Sequence, residues 1–416
     1  MPRDTSDPEW TGTPPHMKPF LHALDRMEER ETIRPEQLGE RAQALLNERF
    51  GPAAGAAAVA FAHGPLGVIS DHTHYFDGFA VLMPLPQGVA VAVRTASGAA
   101  SRVALEKGQQ TATFDLAVSA SAEPVTDLAN CVIGSLARQG RLEEQGEMAV
   151  VSTGPDGCRD AYLAGLGVAV WRGLEALEAA ALPTEETRTA CIQAVRAAVA
   201  ESTGYPFSLA YAIAAYDGRP GAFALADAGT LEQLALEKPS TQLGWGLVDM
   251  GTAPLHPPAF YREIKARAEE ALAVLQKQGF SELTSLRDLE HRHLQQALSV
   301  LPPRLQPDVR YLVTENRRVQ KLITAVRRRD WQMVGALLLM AHAARRSDAQ
   351  ATAPEIDFAI EQVEAMTAEG MYGACATGHG ACVLVAGQSF VVPACLDQVR
   401  TSYAKRFDAA PHVMLL

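Results

Sequence analysis

A chain of 416 residues, 48% hydrophobic and 20% charged, is long enough for two domains or for one large domain with a shared core, and its composition is neither disordered nor fibrous. A formal net charge of -11 speaks against nucleic acid or an anionic membrane as a general partner, because attraction to phosphate needs a basic face. The basic stretch between Arg317 and Trp331 alternates with apolar residues at helical spacing and reads as a solvated helix face. Six cysteines, at 131, 158, 191, 375, 382 and 395, form no Cys-x-x-Cys pair, so they are expected to be reduced, mostly buried thiols, which points to the cytoplasm. The start of the chain has prolines and acids where a secretion signal would have an apolar core. No apolar run of about 18 residues follows, so no membrane span is expected.

In chain order, residues 1–30 read as a leader. From Pro35 to Phe50 the residues Leu38, Ala42, Leu45 and Leu46 share one side of a helix that Gly51-Pro52 ends. The apolar runs "AAAVAFA", "GFAVLMPL" and "GVAVAVRTA", then "TATFDLAVS", read as strands bounded by Gly and Pro. Ala161 to Ala181 and Glu185 to Ser202 read as helices parted by Pro183 and Thr184, and "GAFALADAG" and "GWGLVDMG" return to strand character. A polar pause at 236–244 marks the expected boundary between a domain at 31–240 and one at 241–416. A helix from Pro258 to Gly279 opens the second half. Val319, Leu322, Ile323 and Val326 fall on one face of a further helix, Asp330 can cap the next, and "GACVLVAG" and "HVMLL" give two last strands around a helix. Strands then helices, with terminal strands rejoining a sheet, argue α+β.

The stretch "GPLGVISDHTHYFDGFAVLMPL", Gly64 to Leu85, resembles the galactokinase signature Gly-Arg-Val-Asn-Leu-Ile-Gly-Glu-His-Thr-Asp-Tyr followed by "GGFVLPMAI". The segments "YLVTENRRVQKLITAVRRRDWQMVGALLLMAHAARRSD" and "GMYGACATGHGACVLVA" resemble that family's later helices and its glycine-rich strand and loop. The resemblance runs from Pro35 to the C-terminus. It implies the two-domain fold of the galacto-, homoserine, mevalonate and phosphomevalonate (GHMP) kinase superfamily, with a ribosomal S5 domain 2-like N-terminal half and a ferredoxin-like C-terminal half.

By that resemblance Asp71 and His72 stand where family residues contact sugar hydroxyls, and Tyr261 where a tyrosine lines the sugar pocket. Carboxylate, imidazole and aromatic groups suit a sugar or polyol. His74 replaces the family's second acid. The groups of phosphoryl transfer depart from the pattern. The family's arginine aligns with Pro65, which has neither charge nor donor. Its aspartate aligns with Tyr211, whose phenol ordinarily titrates near 10 and is a poor base at neutral pH. "GLSSSA" becomes "GCRDAYLAG", with Ala161, Tyr162 and Leu163 for the serines that hold phosphate and magnesium, and "TGGGFGGC" shortens to "TGHGAC" at Thr377 to Cys382. Gly157, Gly378 and Gly380 are the backbone positions left to a nucleotide.

Three readings follow. The first is a galactokinase-like pseudokinase, with carbohydrate binding to a sugar or polyol but no phosphorylation, and with a protein partner if it serves as a sensor. The second is a repurposed enzyme in which His74 and Tyr211 do acid-base work on a modified sugar or cyclitol, with Asp71, His72 and Tyr261 around it. The third is an active sugar kinase using ATP and magnesium with a displaced acid such as Asp160 or Asp217. A metal held by Asp71, His72, His74 and His379 would need the "DHTH" stretch to be extended; a turn would not suit it. Cys375 and Cys382 are expected to be packing residues.

Overall fold

The computed structural model describes residues 34–52, 57–70, 72–96, 101–107, 110–114, 128–137, 139, 145–155, 157–178, 184–237, 243–251, 255–379 and 381–416. The expected leader, Asp71 and Gly380 lie outside these residues. Helix α1 (Pro35–Phe50) buries Leu38, Ala42, Leu45 and Leu46. Pro35 stands in its first turn, where an amide has no partner to lose, and Gly51, with φ 80°, follows its end.

Strand β1 (Ala58–Ile69) pairs antiparallel with β2 (Phe79–Thr95). The sequence suggested two strands at "GFAVLMPL" and "GVAVAVRTA"; they are one strand of 17 residues that runs through Pro84, Pro86 and Gly88. Pairing explains it. Pro65 lies opposite Pro84, beside a register shift between His63 and Pro65. Residues that cannot donate to a ladder therefore face each other at an irregularity instead of breaking a regular bond.

Strands β3 (Ser101–Leu105), β4 (Gln110–Phe114), β5 (Gly146–Ser152), β6 (Ala222–Asp227) and β7 (Gln233–Glu237) complete this sheet in the order β4-β3-β5-β2-β6-β7, with β1 on β2. Side chains alternate across β2. Val89, Val91 and Val93 pack under helices α2 (Leu128–Leu136), α3 (Arg159–Leu177), α4 (Glu185–Thr203) and α5 (Leu209–Asp217), while Ala90 and Ala92 meet α1. Thr184 caps α4, its hydroxyl accepting from the Thr187 amide.

The second sheet is antiparallel, in the order β11-β8-β10-β9: β8 is Leu243–Asp249, β9 Met371–Thr377, β10 Cys382–Gln388 and β11 His412–Leu415. The helices of this half are α6 (Pro258–Lys277), α7 (Leu294–Val300), α8 (Gln306–Arg328), α9 (Trp331–Ser347), α10 (Pro354–Glu364) and α11 (Val392–Phe407); α9, α10 and α11 pack on the sheet, while α6 and α7 pack with α8 in a separate cluster. Asp330 caps α9 through the Met333 amide at 3.0 Å. One core cluster joins Leu66, Val81 and Met83 of the first sheet to Trp245, Leu247 and Leu384 of the second, so the two sheets share buried surface. The architecture is α+β, and no described helix is long and apolar enough to cross a membrane.

Candidate active site

The end of β1 delivers the chain into an unusual turn. His72 (φ 63°, ψ -10°) and Asp77 (φ 56°) are left-handed on either side of a 3-10 turn at Thr73–Phe76. Such residues without glycine's freedom cost of order 1–3 kcal/mol and concentrate at functional sites. The conformation accompanies a fully buried His72 side chain. Its ring stacks on Tyr261 of α6 at 6.0 Å between centroids and meets Tyr311 of α8 edge-on at 5.6 Å. His379, in the turn between β9 and β10, joins the same group: its ring is 6.1 Å from His72 and 4.4 Å from both Tyr261 and Tyr205.

Tyr211, in α5, approaches from the sheet side. Its hydroxyl lies 3.4 Å from Ser70 Oγ, and a Cβ at Gly67 would fall 2.6 Å from that hydroxyl and 3.2 Å from Thr377 Oγ1, so glycine lets the end of β1 close on both. His72, Tyr211 and Tyr261 are thus brought to one locality. Asp71 and the His74 side chain lie outside the described residues. From His72 onward the "DHTH" stretch is a turn rather than a strand, and among the described residues no cluster of three His, Cys, Asp or Glu side chains could hold a metal.

Two loops flank this locality, and in both a backbone amide is held by a carboxylate of the chain itself. Ahead of α3, the Gly157 amide donates to Asp249 Oδ2 at 3.0 Å, and the Gly251 amide donates to Oδ1 at 2.9 Å. In the β9–β10 turn, the His379 amide donates to Asp160 Oδ2 at 2.6 Å, and His379 Nδ1 lies 2.9 Å from the same oxygen. The Tyr205 hydroxyl donates to Asp160 Oδ1 at 2.9 Å. Gly378 turns with φ 66°; a Cβ there would stand 2.7 Å from Asp160 Oδ2 and 3.5 Å from the Tyr211 hydroxyl, so the acid and the phenol flank one turn. Arg345 fixes that turn by donating from Nη2 to the Gly378 carbonyl at 2.8 Å and from Nε to the Ala351 carbonyl at 2.6 Å.

The electrostatics follow. Burial alone would raise the Asp160 carboxyl, but the charge and two hydrogen bonds of His379, with the Tyr205 hydroxyl, hold it far below the usual carboxylate range. Burial, then the Asp160 charge, pushes the Tyr205 phenol well above its ordinary value. Desolvation alone pushes Tyr162 up to about 12, so a neutral phenol stands where the motif elsewhere carries a serine. The Arg159 guanidinium lies 5.9 Å over the Tyr205 ring. Beside the start of α3 a narrow cleft of about 20 Å³ is lined by Gly64, Gln87, Lys107, Ser152, Cys158 and Tyr162 among others. Of the other residues weighed from sequence, Pro65 is buried in β1, and Asp217 is bound by Arg188 Nε at 2.9 Å at the end of α5.

The fold that carries this strained turn and these two glycine-bearing loops is the GHMP kinase fold. The chain aligns with the structure of mevalonate kinase from Methanococcus jannaschii at a TM-score of 0.54 and 9% identity, over 87% of this chain and 98% of that one. The likeness narrows with the structure of Lactococcus lactis galactokinase complexed with galactose: TM-score 0.78 and 19% identity over 91% of this chain and 97% of that one. Galactokinase from Chloroflexus aggregans is 28% identical over 325 residues, 77% of this chain and 81% of the relative. Residues 45–95 match the galactokinase galactose-binding signature. The chain is thus galactokinase-like: similar to galactokinases in sequence, and folded like the GHMP kinases.

Sequence reasoning gave no site role to Tyr205, Tyr311, Asp249 or Arg345, and weighed Asp160 and His379 only as a displaced acid and a metal ligand. The position of Asp160 one residue before the altered serines was the one local signal. Nothing near Asp249 in the sequence marks it.

Proposed function

We propose that this galactokinase-like chain binds a sugar or similar polyol without transferring phosphate to it. The observation that carries the reading is the occupation of both loops by internal acids. Amides of Gly157 and His379, at the two loops where the resemblance puts nucleotide phosphates, are bound by Asp249 and Asp160. A phosphate oxygen would have to displace a carboxylate from each amide and would meet its negative charge in a poorly solvated space. Serines that would ligate magnesium are Ala161, Tyr162 and Leu163, and the aligned base is Tyr211, whose hydroxyl contacts Ser70. Losing one such group commonly costs about a hundredfold or more in rate. Sugar binding is supported by the galactose-binding signature match and by His72 and Tyr261 meeting at the strained turn.

One observation favours a second reading. Asp160 and Tyr211 flank the same Gly378 turn, so Asp160 stands near the family's base position as a displaced proton acceptor of an ATP- and magnesium-dependent kinase. A single experiment separates them. The protein is mixed with magnesium-ATP and galactose, then with a panel of hexoses and cyclitols; ADP release is followed, and each ligand is titrated by calorimetry. The first reading expects no sugar-dependent ADP, no nucleotide heat, and a saturable heat with at least one sugar. Formation of any sugar phosphate would decide for the second; absence of heat with every sugar would remove the binding part of the first.

A further inference from the structure

Cys158 and Cys382 come from positions 224 residues apart, and their sulfurs stand 3.3 Å from each other inside the protein. A disulfide bond is about 2.0 Å long, so joining them asks for a closure of about 1.3 Å. The two are not equivalent. Cys382 opens β10 with β8 on one side, opposite Asp249, and β9 on the other, opposite Thr377, and it is fully buried. Cys158 is the residue before α3, at the end of a short loop, and it lines the cleft that also touches Lys107, Ser152 and Tyr162. Cys158 lines that cleft and Cys382 does not, so an oxidant small enough to enter it meets Cys158 first. Burial, and then the neighbouring Cys158 and Asp249, hold the Cys382 thiol well above its ordinary value, so it stays protonated until a partner sulfur is activated. Cys375 is engaged elsewhere, its thiol donating to the Val68 carbonyl at 3.3 Å, while Cys191 and Cys395 belong to other core clusters.

We propose that Cys158 and Cys382 are a redox-modification site that closes to a disulfide when a hydroperoxide enters the cleft. Cys158 sulfur attacks the peroxide, the O–O bond breaks, and Cys158 becomes a sulfenic acid as the leaving oxygen departs with a proton as water or alcohol. The Cys382 sulfur then attacks the sulfenic sulfur; the S–O bond breaks, the hydroxyl leaves with the Cys382 proton as a second water, and the S–S bond forms. Each thiol is oxidised by one electron equivalent, and the peroxide takes up both. The product ties the start of α3, in the first sheet's layer, to the second sheet, and fixes the loop whose Gly157 amide already rests on Asp249. A dithiol reductant reverses it by exchange. This inference rests on sulfur geometry and not on whether the chain binds sugar or nucleotide.

The full-length protein is treated with hydrogen peroxide, its remaining thiols are blocked by alkylation, and peptides are mapped by mass spectrometry without reduction. The expected result is one cross-linked pair containing Cys158 and Cys382, a loss of two alkylatable thiols, and recovery of both with dithiothreitol. In the intact protein the oxidised form melts at higher temperature than the reduced form, and this gain is absent from Cys158→Ser and from Cys382→Ser. Peptide mapping of the unaltered chain decides the matter even where a variant folds poorly. Conversion of Cys158 to sulfinic acid with no cross-link, or full alkylation of both cysteines after peroxide, overturns the proposal.

Discussion

Replacing Asp160 by alanine tests the central feature of the site. The carboxylate accepts from the His379 amide at 2.6 Å, lies 2.9 Å from His379 Nδ1, and accepts from the Tyr205 hydroxyl at 2.9 Å, all in a buried setting. Removing it strands those polar atoms together. A buried polar group left unpaired costs about 1–3 kcal/mol, and breaking a buried charged pair from one side costs about 3–5 kcal/mol, so the variant should lose about 3–5 kcal/mol. Unfolding entropy of about 2.1 cal/mol/K per residue gives roughly 0.9 kcal/mol/K for the 416-residue chain, and the melting temperature should fall by roughly 3–6 °C if it melts as one unit. Asp160→Asn keeps one acceptor oxygen and should fall between the alanine variant and the parent. Differential scanning calorimetry measures all three. An alanine variant that melts within about 1 °C of the parent, or an asparagine variant that melts below the alanine variant, would show that this carboxylate does not hold the two loops together.

Two further outcomes are expected. Because the folded Asp160 carboxyl is depressed, its contribution is present above its unfolded value near 3.8 and is lost as pH falls through the folded value; the gap between the parent and Asp160→Asn should narrow below about pH 3.8, and a gap of constant size in acid denaturation curves would contradict this. Gly335 of α9 lies against the backbone of β9, where an added Cβ would stand 2.2 Å from both the carbonyl carbon and oxygen of Tyr372. Gly335→Ala should therefore destabilise by about 1–3 kcal/mol in urea titration, although the same change in an open helix would stabilise by roughly 1 kcal/mol, and a stabilised variant would disprove the close packing.

Sequence periodicity located most of the elements because burial of a helix or strand face leaves a local mark. Leu38, Ala42, Leu45 and Leu46 show it for α1, and the β-rich runs show it for β6, β8 and β10. It failed at β2, where prolines and a glycine suggested a break that pairing with Pro65 accommodates. The resemblance singled out His72, Tyr211 and Tyr261, each within a contiguous motif, and these three lie around the end of β1. It assigned no role to the partners of those residues, since a motif names positions and not what they touch.

The α+β class, the elements with a clear apolar face and the altered motif residues were therefore in the sequence itself, each written within a few neighbouring positions. The meeting of Asp160 with His379 across 219 residues, of Gly157 with Asp249 across 92, and of Cys158 with Cys382 across 224 was decided only when the sheets packed. A carboxylate's partner depends on which distant amides the fold leaves within about 3 Å of it, and no local pattern encodes that distance.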